Sequence, residues 1–403
     1  MKQPRDGTLA DMWARHSADW RSTAQIASQW REATAVDPRL LEYRVRGPWW
    51  DLLERLGVTL FISREYEHLV MAFSAAGGKR RVSFLPLPHP SGLVVDRGRK
   101  QMHIASTRNP NQIFSLRPVA ALAPRGDVRA RAHLADRPML PSHTSFFPGS
   151  LYLHDLALIG GRLHGNAVGH NAVVTLSADG GYRRVWWPRS VDGKRGSPSF
   201  GMNYLQLNSI AAGPTLRDSF FSASVPAPGR RRPGHLDFAV DGRGVIFSGR
   251  TREPMCVGLT RPHSARLDRG RVWVDNSGYG EVGFAESGRF VAAARLPGWT
   301  RGLCFVRDVA FVGTSRVIPK YARYAPGVKA STAVCGVHAV DPGTGKTLAS
   351  VEWPFGNQIF AIDWIDSTAT AGFLFVPFRT AREHEKTVFY SYVPQPLHKE
   401  SGS

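Results

Sequence analysis

Cysteine is nearly missing from this chain of 403 residues. Only Cys256, Cys304 and Cys335 are present, too few and too scattered for a disulfide framework or a cysteine-based zinc site. No apolar run approaches the roughly 18 residues a membrane-spanning helix needs. Residues 1–10 also lack the apolar core of a secretion signal. A soluble, cytoplasmic protein with no membrane partner is the expectation. Acidic residues are short as well: 32 Asp and Glu face 52 Lys and Arg, for a net charge of +20. Such a field attracts nucleic acid, anionic lipid or an acidic small molecule. The basic residues are dispersed, with one dense run at Arg230-Arg231-Arg232 and no aromatic–basic stripe or nucleic-acid motif beside it. Nucleic acid is therefore not the expected partner. No Gly-x-Ser-x-Gly elbow and no His-Glu-x-x-His helix occurs. Gly343-Thr344-Gly345-Lys346-Thr347 looks like part of a phosphate loop, but Asp341-Pro342 before it makes it a hairpin turn. No nucleotide cofactor is expected.

What is abundant points to sheets. The 40 Gly and 28 Pro, with many Val, Trp and Phe, favour numerous short strands over long helices. A short phrase also recurs at intervals of roughly 40 to 60 residues. It reads His89-Pro90-Ser91-Gly92-Leu93-Val94, then Tyr152-Leu153-His154-Asp155-Leu156, then Gln206-Leu207-Asn208-Ser209-Ile210. It returns as Arg261-Pro262-His263-Ser264-Ala265, as Trp299-Thr300-Arg301-Gly302-Leu303, and as Asn357-Gln358-Ile359-Phe360-Ala361. Each copy places one or two small or polar residues before an apolar strand. That period, with short strands and Gly-rich turns, is the pattern of stacked β-sheet blades around a channel. Six copies predict an all-β, six-bladed β-propeller, with seven blades as the alternative.

Residues 1–48 differ. Leu9, Met12, Trp13, His16, Trp20 and Ile26 recur at helical spacing and predict an N-terminal helical extension. A propeller over 49–396 follows, then a disordered tail over 397–403. Within the propeller, Leu52, Leu53 and Leu56 predict a short helix ended by Gly57. The strands read at 58–63 and 68–73 precede the first phrase and are expected to complete the last blade and close the ring, leaving no unpaired edge there. Long irregular stretches at 117–149, 188–204, 226–235 and 318–332 are candidates to cover a site.

The phrases also resemble a known family. Ser106-Thr107 through Gln112-Ile113-Phe114, Leu153-His154-Asp155, Pro262-His263-Ser264 and Pro297-Gly298-Trp299-Thr300-Arg301-Gly302 carry the resemblance. So do Phe311-Val312-Gly313-Thr314-Ser315-Arg316 and Gly336-Val337-His338-Ala339-Val340-Asp341. Together they resemble the bacterial family DUF4915 over about residues 49–378, and the resemblance implies a β-propeller without naming a reaction. Where the family pattern has His-Leu-Asn-Gly, this chain has Gln206-Leu207-Asn208-Ser209. Where the pattern has Glu-Ile-Phe-Asp-Val, it has Gln358-Ile359-Phe360-Ala361-Ile362. Two carboxylates and an imidazole are thus replaced by neutral groups, which puts any metal of the family's channel in question for this member.

If the residues opening the phrases converge, the channel mouth carries Ser91, His154, Asn208, His263, Arg301 and Gln358, with Asp155 behind. His154, His263 and Asn208 are the candidate ligands of a divalent metal ion, and Asp155 a candidate to orient an imidazole. His154, His263, Arg301 and Asp155 form the candidate catalytic set. Ser91, Asn208, Gln358 and Arg301 form the candidate substrate contacts, with Arg301 clamping an anionic group. The competing reading is structural. Channels are polar regardless of function, Arg301 then pairs with Asp155, and Asn208 and Gln358 cap strands. A second cluster, His164, Asn166 and His170, lies on the strand expected after His154. His143 and His235 sit in loops within reach of the channel. Three functions fit. The first is an enzyme of lyase, isomerase or epimerase, or hydrolase type acting on a small anionic substrate. The second is a non-catalytic propeller that binds a ligand or protein, and the third an anionic-polymer binder.

Overall fold

The computed structural model describes residues 36–394 except 108–110, 128–133, 148, 194–197, 199, 202, 232, 234, 236–237 and 380–386. The chain is a β-propeller. Most of its described strands form six antiparallel groups of four, with a separate two-stranded pair of Leu122–Pro124 and Tyr392–Pro394 beside them. The six recurring phrases form or lead into the inner strands of those groups. Blade II uses Pro90–Asp96, Gln101–Ser106, Asn111–Pro118 and Met139–Phe147. Blade III begins at Leu153–Ile159, blade IV at Leu207–Ala211, blade V at Pro262–Asp268 and blade VI at Trp299–Val306. Blades IV and V share one continuous sheet through a single pairing of Val257 with Arg289. Blade I takes its inner strand, Ala361–Asp366, from the far end of the chain, paired antiparallel to Val58–Arg64. Each inner strand packs beside the next, and Ala361–Asp366 packs beside Pro90–Asp96. The ring closes as its sequence order implied.

Strand periodicity explains the packing, because successive side chains leave opposite faces of a blade. In Val58–Arg64, Leu60 and Ile62 enter the core shared with blade VI, while Phe61 enters the core shared with blade II. Every neighbouring pair of blades has such a cluster, for example Ile159 and Trp186 of blade III against Phe221 and Phe247 of blade IV. The helix Trp49–Leu56 ends at Gly57, whose left-handed backbone (φ 70°) lets its N–H reach the carbonyls of Leu53 and Glu54. Its buried face, headed by Trp49 edge-on to Phe73 and Phe311, covers the seam between blades VI and I. The helical reading of 1–48 lies mostly outside the described residues. Its described end holds a 3-10 turn, Pro38–Leu41, and a strand, Arg44–Arg46, that adds an outer edge to blade VI.

The inner strands of blades II to VI share a register shift near their first residues, the mark of a bulge. Close to it, an inner-strand N–H turns to the preceding blade. Ile210 donates to Asp155 Oδ2 at 3.0 Å, Ala265 to Ser209 Oγ at 2.8 Å and Gly302 to Ser264 Oγ at 2.7 Å. The phrases therefore encode a belt of blade-to-blade clasps. Gly92 fills the equivalent place in blade II, where a Cβ would come within 2.6 Å of the Asp155 Cα.

Candidate functional site

A cavity of about 750 Å³ opens at the end of the channel where the inner strands begin, within the size range of small-molecule sites. Its walls come from positions two apart in the phrases, which point the same way along a strand. These are Tyr152 with His154, Arg261 with His263, and Trp299 with Arg301. Tyr152, Gln206 and Arg261 each take a left-handed backbone (φ 50°, 50° and 55°) directly before the strand. That conformation is uncommon for side-chain-bearing residues, so its recurrence marks a shared kink at the mouth. The stretch 318–332 contributes Ile318, Tyr321 and Tyr324, and 226–235 contributes Pro233 and His235.

Of the residues expected at the mouth, His154, His263, Arg301 and Gln358 line the cavity. Three do not, and each has a structural task. Ser91 is buried and donates to the carbonyls of Ala105 and Leu153. Asn208 donates to the Pro262 carbonyl at 2.9 Å and to Ser224 Oγ. Asp155 faces away from His154, as strand alternation requires. It holds Arg266 at 2.8 Å and 3.2 Å and accepts from the Ile210 and Leu156 N–H groups. Arg301 bonds elsewhere. With the Gln358 amide turned so that its nitrogen donates to Glu65 Oε2 at 3.0 Å, its oxygen accepts from Arg301 Nη1 at 2.8 Å. Thr107 donates to Glu65 Oε1, and the Arg301 guanidinium lies over the Phe360 ring, against whose plane His154 stands edge-on.

The other histidines separate. His164 ends on the strand Arg162–Ala167, whereas His170 sits in the 3-10 turn that follows, beside Arg184. His143 lies in the outer strand of blade II against Ser145 and the Ala178 carbonyl. His235 does line the cavity.

His263 is the best defined chemical group. It is 4% exposed, and its Nδ1 sits 2.8 Å from the Arg261 carbonyl and 3.0 Å from Ser277 Oγ. A carbonyl only accepts, so Nδ1 carries the proton and Nε2 keeps its lone pair. Burial, then the charges of Arg301 and Arg261 and the neighbouring His154, push the imidazole well below its usual range. It is neutral at physiological pH. Arg261 is 9% exposed. It donates to Gln206 Oε1, stacks 4.8 Å over Tyr324, and among the described residues its Nε has no hydrogen-bond partner. Burial lowers its pKa to about 10, which leaves it charged.

The donor set does not fit the expected divalent ion. Among the described residues, no three His, Cys, Asp or Glu side chains come together to hold one. Asn208 is outside the lining, the one lining carboxylate, Glu65, is bonded by Thr107 and Gln358, and two guanidiniums press on His263. Two imidazoles among cations are a poor cage for another cation. Glu65, Tyr324 and Arg261 were not singled out as site residues from sequence. Arg261 stood in its phrase two places before His263, and that two-residue spacing was the available signal.

The ring of blades and its mouth cavity define a propeller with a ligand-sized site on its axis. The chain belongs to the family described as Domain of unknown function (DUF4915), whose model matches residues 47–374. No curated protein matches it. It is similar to a chain of a nidogen/laminin complex at 11% identity and a TM-score of 0.49, covering 78% of this chain and 100% of that one. It is similar to a gluconolactonase from Xanthomonas campestris at 14% identity and a TM-score of 0.45, covering 77% and 86%. A putative 6-phosphogluconolactonase from Bacteroides uniformis is similar at 12% identity and a TM-score of 0.41, covering 76% and 99%. Likenesses this distant identify no reaction. No described helix is long and apolar enough to cross a membrane.

Proposed function

We propose that this protein is an enzyme that holds a small anionic molecule in the channel-mouth cavity and moves a proton on it. Arg261 is the anchor and His263 the base. The observation that carries the reading is Arg261: a buried guanidinium with no carboxylate bonded to it among the described residues and an unbonded Nε. An isolated buried charge costs several kcal/mol, and an anionic ligand forming charge-assisted hydrogen bonds offsets that cost. His263, neutral with a bare Nε2, has the protonation state a general base requires. Trp299, 6.2 Å from His263, and Tyr321, which stacks on the buried Tyr324, offer flat faces to a ring-bearing ligand. Proton abstraction beside a carbonyl and activation of a water both use these groups, so the reading covers lyase, isomerase or epimerase, and hydrolase chemistry. A cytoplasmic setting accords with three cysteines that are free and buried.

The test is a thermal-shift screen of carboxylates and phosphate esters, followed by turnover assays on whatever binds. Arg261→Gln should weaken binding at least about tenfold. His263→Gln should keep binding within about threefold while removing a hundredfold or more of the turnover. Unchanged binding in Arg261→Gln would sink the anchor, and binding without turnover would leave a ligand-binding propeller.

A further inference from the structure

The cavity's charge points to more than an anion of unspecified valence. Its described lining holds three guanidiniums, Arg261, Arg301 and Arg316, against one carboxylate, Glu65. His263 is neutral for the reasons given above, so these groups leave a surplus of two positive charges. The partners do not remove it. Arg301 stands beside Glu65, which accounts for one pair. Arg316 uses its donors on the carbonyls of Gly356, Ala333, Trp353 and Pro354, which are neutral groups. Arg261 has a neutral amide and an aromatic ring. Arg261 also feels Arg301 and Arg323 as repelling neighbours. Cations gathered around one enclosed volume raise its potential together, and a ligand carrying one charge leaves half of that surplus unmatched.

We propose that the ligand's head group is a dianion, a phosphate monoester or a compact dicarboxylate, seated at Arg261. The aromatic faces of Trp299 and Tyr321 take the remainder of the molecule. This rests on the reading of the cavity as an anion site and narrows it from charge sign to charge number.

Phenyl phosphate and phenyl sulfate test the point, because both present a tetrahedral head with three terminal oxygens, joined to the same ring through one ester oxygen, and differ chiefly in charge. At pH 8 the phosphate carries close to two charges, its second ionisation lying near pH 6, while the sulfate ester carries one. Calorimetric titration of the wild-type chain should find phenyl phosphate at least about tenfold tighter. Malonate against acetate makes the same comparison for carboxylates, and selectivity in either pair supports the dianion and tells which head group is taken. Arg261→Gln should reduce the preference to about threefold or less, and Arg261→Lys should retain most of it. Equal affinities within both pairs would overturn the dianion while leaving the anion site standing. No binding by any of the four would instead remove the anion site itself.

Discussion

Two layers of the same inner strands treat buried charge in opposite ways. In the clasp layer, Asp155 receives both Nη atoms of Arg266 and two backbone N–H groups, so charge and hydrogen bonds are matched across blades III, IV and V. At the mouth, a few residues along the same strands, Arg261 is also buried and has a neutral amide and a ring for company. A matched charge holds a fold together, and in the function proposed above the unmatched one meets the charge of the ligand. Removing a member of the clasp layer should therefore lower stability, and removing one at the mouth should not.

The largest effect is expected at Asp155. Asp155→Ala strands Arg266 in the interior and should cost roughly 3–5 kcal/mol of unfolding free energy, read as a lower urea midpoint. A change below about 1 kcal/mol would mean that the clasps do not hold the ring.

Acid should reach the blades next. Burial pushes His338, bonded to Thr314 in blade VI, down to about 4, and His103 likewise to about 4. An unfolded histidine titrates near 6.5. Stability is thus full above about pH 6.5 and is lost as the pH falls toward 4, because only the unfolded chain takes up the proton. For His338 the loss is on the order of 3 kcal/mol. Denaturation curves at several pH values should flatten over that window in His338→Gln.

A smaller loss is expected at Ser264, whose hydroxyl accepts the Gly302 N–H. Ser264→Ala should cost about 1–2 kcal/mol, with the cavity's affinities unchanged.

The smallest change sharpens the comparison most. Arg261→Gln removes an unmatched buried charge, so thermal unfolding should show stability unchanged or raised by about 1 kcal/mol. A loss of 2 kcal/mol or more would make Arg261 a structural residue like Asp155.

The architecture was legible because each phrase leads small or polar residues into an apolar inner strand, with a bulge in blades II to VI, and a ring repeats that unit from blade to blade. The site was legible only in part. His154, His263, Arg301 and Gln358 were readable as polar residues at phrase openings. Ser91, Asp155 and Asn208 look the same in sequence, and nothing local separates a side chain facing the axis from one facing the neighbouring blade. The bulge shifts the parity of alternation within the inner strands of blades II to VI, so a one-residue difference decides between cavity and clasp.

Sequence alone determined the repeat, the strand content and the late strand that closes the ring, because these follow from local periodicity and chain order. Only the tertiary structure decided which polar groups meet across blades: Asp155 with Arg266, 111 residues apart, and Arg261 with Tyr324 from a distant covering segment. Charge pairing depends on distances of a few ångström, and for residues so far apart in the chain those distances exist only once the ring has closed.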